Sequence, residues 1–142
     1  MIQMTNPSHQ SIRSIYQAGV KEALRHKWIE SQKRGYDVGI DAIHEWFDKY
    51  WREYCRYRNL EHVCGSMCWD EFDVQRFGRI EELLHSGDLL LDLILERVMV
   101  GWENLQILVW AHEWGMPVDR VLSILTQLDI NSARLTPRIE WA

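Results

Sequence analysis

Apolar positions recur with helical spacing along most of this chain, and glycines punctuate the runs. Ile12, Tyr16, Gly19, Val20 and Ala23 predict a first helix from about Ser11 to Gln32 or Lys33, stopped by Gly35. A second helix is predicted to open at Asp37 or Asp41 and to carry Ile43, Trp46, Phe47, Tyr50, Trp51 and Tyr54 on to about His62. The Gly65-Ser66 pair breaks it. The spacing next predicts a third helix, capped by Asp70 and ending before Gly87, with Phe72, Phe77, Ile80, Leu83 and Leu84 on its apolar side.

Residues 88–114, DLLLDLILERVMVGWENLQILVWAHEW, are apolar on almost every side yet interrupted by Asp92, Glu96, Arg97 and Glu103. Charge at that density argues against a membrane span and for two helices at the centre of a bundle, one capped by Asp88 and the two divided at Gly101. Gly115-Met116-Pro117 turns the chain into a further helix, Val118 to about Leu128, with Val121, Leu122 and Leu125 facing inward. The expected fold is all-α: one domain over residues 1–142, a bundle of about five or six helices with a buried central pair (88–114) and a C-terminal helical hairpin. Residues 1–10 read as a flexible N-terminus and 129–142 as a mostly extended tail.

Composition adds to this picture mainly through charge. The net charge is −5, but residues 1–60 hold ten Lys and Arg against seven Asp and Glu, and residues 61–142 hold six against fourteen. A second half at −8 is a poor footprint for nucleic acid, and a first half at +3 suits pairing with it, within one chain or between chains. No signal-peptide pattern opens the sequence, so a cytoplasmic protein without a membrane span is expected. Cys55, Cys64 and Cys68 are an odd number and read as free thiols.

Several constellations carry possible chemistry. Trp46, Phe47, Tyr50, Trp51, Tyr54 and Tyr57 fall within an arc of roughly 140° on the second helix, with Lys49, Arg52 and Arg56 on the far side. Rings and basic groups that point apart favour core packing of the stripe over stacking of bases or a pigment. Cys55, His62, Cys64 and Cys68 place four soft ligands in fourteen residues, a zinc-like set whose first spacing is long; the alternative is buried thiols behaving as small hydrophobes. Glu82-x-x-His85 has a dimetal spacing but faces away from the apolar side of its helix. His112 shares an apolar face with Leu105, Leu108 and Val109 and reads as a buried core histidine, with His26 as the residue to suspect if two histidines converge, as for a haem. Residues 110–128 have the outline of a helix-turn-helix but expose Asp119, Arg120, Ser123 and Gln127, a weak set for reading DNA.

No nucleophile elbow, phosphate-binding glycine loop or dinucleotide fingerprint occurs. The expectation is a non-catalytic helical protein–protein interaction module, a small subunit or adaptor of a larger assembly or a homodimer, with no cofactor. Lys49, Arg52 and Arg56 are expected to meet an acidic partner, and Trp28, Trp69 and Trp141 to serve as exposed anchors. The alternatives are a metal- or haem-binding protein using the cysteine–histidine set or His26 and His112, and a DNA-binding regulator using residues 110–128.

Overall fold

Helix α1 (Ile15–Arg34) begins where two side chains meet its first free amides. The Ser14 hydroxyl accepts from the amide of Gln17 and donates to the Glu71 carboxylate, which also accepts from the amide of Ile15 at 2.7 Å. Gly35, at φ 76°, closes the helix with its amide on the carbonyl of Ser31. The computed structural model describes residues 13–138; Trp141, the predicted N-terminal segment 1–10 and the end of the predicted tail lie outside the described residues.

The spine of the molecule is α2 (Ile40–Cys64), 25 residues and so about 37 Å long. Its first half packs against α1, with Trp46, Phe47, Trp51 and Cys55 in a core that also takes Ile15, Ala23, Trp69, Phe72 and Ala133. Its second half supplies Leu60 and Val63 to an aliphatic core built by Ile80 and three further helices, α4 (Leu89–Met99), α5 (Asn104–Glu113) and α6 (Val118–Leu128). One short helix, α3 (Glu81–His85), precedes them. Among the described residues the protein is therefore a bundle of six α-helices with no strand, as the periodicity predicts. None of these helices is long and apolar enough to cross a membrane.

Gly19 lets α1 approach α2. A Cβ there would lie 2.6 Å from Cζ3 of Trp51, whose ring stacks on Tyr16 and whose Nε1 donates to the carbonyl of Leu135 at 2.8 Å. The residues after α6 thus do more than extend. Ile130–Ala133 forms a 3-10 turn that buries Ile130 and Ala133, and residues 134–138 cross the α1–α2 pair, where the Tyr16 hydroxyl donates to the carbonyl of Thr136.

The third predicted helix is a correction. Most of Asp70–Ser86 is loop, with a 3-10 turn at Val74–Arg76 and the five-residue α3. Gly78 sits at φ 72°, and the loop spends its amides on the end of α2: Gly78 donates to the carbonyl of His62 and Ile80 to that of Val63. Those long-range bonds satisfy the terminal carbonyls of α2, and local helical spacing cannot reveal them. Asp73 rather than Asp70 caps the turn, accepting from the amide of Gln75.

The central pair is present, capped as expected by Asp88, which accepts from the amides of Leu90 and Leu91. Its inward face is Leu91, Ile94, Val98, Ile107 and Ala111, while Leu89, Met99, Val100, Leu105 and Val109 remain exposed. Of the expected inward face of α5, Leu105 and Val109 are thus turned outward and His112 is exposed rather than buried, while Leu108 packs partly buried against the core. A helix apolar nearly all round has no preferred face until its neighbours choose one. Leu122 of α6, expected inside, is also half exposed.

Candidate interaction surface

The basic side of α2 is an internal junction. Glu103, just before α5, receives Arg52 and Arg56 from α2 on one carboxylate oxygen and Arg134 from the C-terminal segment, at 2.8 Å, on the other. Arg56 is buried: its Nη2 lies 2.9 Å from Glu103, and its Nη1 donates to the carbonyls of Val98 and Trp102 at the end of α4. Burial opposes ionisation of Glu103, but the bond from Arg134 and the charges of Arg56, Arg134 and Arg52 outweigh it and hold the carboxyl below its usual range. Lys49 lies 3.7 Å from Glu45 one turn earlier. Arg56 is therefore not available to an acidic partner, and Arg52 is engaged by Glu103. The opposite charges of the two sequence halves meet here, inside one chain.

The cysteine–histidine set is dispersed. Cys55 is buried in the aromatic core, where desolvation pushes its thiol up to about 12, whereas Cys64 packs against the aliphatic core. All three cysteines are free. His62 is fully buried, and both ring nitrogens are engaged. Nδ1 accepts from the amide of Trp69 at 3.1 Å, so Nε2 carries the proton that reaches the carbonyl of Asp73 at 2.8 Å. This histidine holds the 65–80 loop onto α2. Among the described residues no three His, Cys, Asp or Glu side chains converge on a metal-sized site.

Trp69 is corrected by the same loop. It is buried against α2, with Nε1 on Glu61 and Arg58 over its ring at 5.7 Å, so it cannot be an exposed anchor. His26 and His112 do not converge. His26 is partly buried on α1 with Nε2 2.9 Å from Glu45, while His112 lies on the outer side of α5. On α6, Arg120 pairs with Asp88, leaving Asp119 and Ser123 as its exposed neighbours, so this helix presents no basic reading face.

Sequence reasoning missed the buried polar lattice around Arg76. That guanidinium donates to Asn59 at 2.6 Å and to the carbonyl of Leu128, which Asn59 also meets, so two side chains close the end of α6. Burial lowers the Arg76 pKa, with Asp129, 3.6 Å away, opposing that shift. No local signal marks these residues, because their partners lie tens of positions away in the chain.

Several surfaces remain open among the described residues, one of them beside Tyr57, Met99 and Val100. Where α1 turns toward α2, Trp28 and Tyr36, 64% and 61% exposed, line a groove of about 600 Å³ with Leu24, and Lys27 and Asp37 pair at its rim at 3.6 Å. On the α5–α6 hairpin, Leu108 of α5 and Leu122 of α6 line a second groove, of about 390 Å³. Comparison with family models, curated proteins and solved structures finds no match for this chain.

Proposed function

We propose that the protein is a non-catalytic helical interaction module, a small subunit or adaptor in the cytoplasm, that grips a protein partner through the groove beside Trp28. The observation that carries this reading is the pairing of an exposed tryptophan and an exposed tyrosine on one concave surface. Those two residue types concentrate binding energy at interfaces, since each offers a large rigid ring and a polar tip. Leu24 adds an apolar wall, and the Lys27–Asp37 pair provides a polar rim. Of the two predicted anchors among the described residues, Trp28 is exposed and Trp69 is buried.

The test is affinity capture of the tagged protein beside its Trp28→Ala, Tyr36→Ala variant. A stoichiometric partner bound by the parent and reduced at least about tenfold in the variant, at unchanged far-ultraviolet dichroism, is the expected result. Equal recovery with both proteins removes the groove from the interface. Recovery of the parent alone, under conditions that preserve known complexes, overturns the module reading.

A further inference from the structure

We infer that a second copy of this chain docks on the outer face of the α5–α6 hairpin, giving a two-fold dimer with four helices at its interface. This names an occupant for another open face of an interaction module and uses none of the residues of the Trp28 groove.

Beside the exposed Gln106, His112, Ser123 and Thr126, the face carries aliphatic side chains that the core does not use. Leu105 is 71% exposed, Val109, one turn on, 47%, and Leu122 of α6 50%; Leu108 and Leu122 meet in the groove between the helices. Half-exposed aliphatic side chains of this kind, with Val118 at the turn end, present on the order of 400 Å² of apolar surface. A stable pairwise interface covers about 800 Å² per partner, a little over half of it apolar. The apolar area on offer thus approaches the apolar share of one side of a standard dimer.

Charge selects a second copy of this chain as the occupant. The turn end of the hairpin carries the exposed acids Glu113 and Asp119. The far end carries the exposed Arg79, which lines the groove with Asn104, the first residue of α5, and with Asp129, just past α6, whose carboxylate lies 3.6 Å from the buried Arg76. A two-fold axis across the hairpin reverses the second copy, so each acidic turn end faces the other copy's Arg79. The same patch placed in parallel would set acid against acid. In an isologous interface every favourable contact occurs twice, which doubles the effect of each residue.

The experiment is sedimentation of the full chain, 17.0 kDa, from low concentration up to about 200 μM. The expected result is a concentration-dependent species of twice the chain mass. Leu105→Glu with Leu122→Glu should yield monomer at every concentration, with helicity unchanged because both side chains already face water. Arg79→Glu should raise the dimer Kd at least about tenfold, and combining it with Asp119→Arg should restore it. A parent protein monomeric throughout overturns the dimer while leaving the Trp28 reading standing. A dimer that survives the double glutamate variant overturns this face, and a dimer lost in Trp28→Ala, Tyr36→Ala moves the interface to the other groove.

Discussion

The two halves of α2 are stabilised in different ways. Toward its start, the neighbours are rings: Trp46 meets Phe47, Trp51 and Tyr54 edge-on, Trp51 stacks on Tyr54 and is tilted against Phe47, and the Trp51 indole ties the C-terminal segment down through Leu135. Toward its end, the neighbours are branched aliphatics such as Val63, Leu91, Ile94, Ile107 and Leu128, with no polar atom to orient them. The aliphatic half takes its alignment from its edges, where Arg56 and Glu103 join α2 to α4 and α5 and where Arg76 and Asn59 close α6. An aromatic core can carry its own orientational information, because ring geometry and an indole N–H are directional; an aliphatic core of this kind needs polar clamps at its boundary.

The largest test of that contrast is Trp51→Ala. It should destabilise the fold by about 4 kcal/mol in denaturant titration, combining lost burial, a cavity and an orphaned carbonyl at Leu135. It should also make residues 134–138 cleavable under native conditions. Ile107→Ala should lose about 3 kcal/mol without releasing that segment. A Trp51 variant whose C-terminal segment stays protected would show that the ring does not hold it.

Glu103→Gln comes next, at about 2 to 3 kcal/mol, because it leaves buried Arg56 without its carboxylate. The Glu103 pKa is depressed in the folded state, so its contribution is complete above the unfolded value near pH 4.3 and is lost as the pH falls through the folded value. The stability gap between parent and variant should therefore narrow in acid. A gap that stays constant on acidification would contradict the junction.

The smallest effect tests the close approach in the aromatic half. On helix propensity alone, Gly19→Ala should gain about 1 kcal/mol. The Trp51 ring stands in the way of the new methyl and is held by Tyr16 and Leu135, so a loss of about 1 to 3 kcal/mol is expected instead. The sign of the change, read from the denaturation midpoint, decides the point.

Legibility followed amphipathicity. Helix α6 was readable from Val118 to Leu128 because Val121 and Leu125 recur among polar residues, and Gly35 and Gly65 marked the ends of α1 and α2. The stripe at Trp46, Phe47 and Trp51 is core, as its separation from the basic side implied, although Tyr50 and Tyr57 at its margins are exposed. The face of α5 was not readable, since Leu105, Ile107, Leu108 and Val109 are equally apolar. Of the predicted site residues, Trp28 kept its exposure, whereas Arg56 and Trp69 were drawn inside by Glu103 and by the 65–80 loop.

By itself, the sequence determined the helical class, the glycine-marked breaks at Gly35, Gly65, Gly101 and Gly115 and the segregation of charge, because each depends on residues within a few positions of one another. The tertiary structure alone decided which side of α5 faces water, which arginines are spent inside the chain, and that His62 fastens a loop. Those outcomes depend on groups such as Arg56 and Glu103, brought together from 47 positions apart. A buried charge or ring nitrogen must find its partner wherever the packed helices place one, and local periodicity carries no record of that meeting.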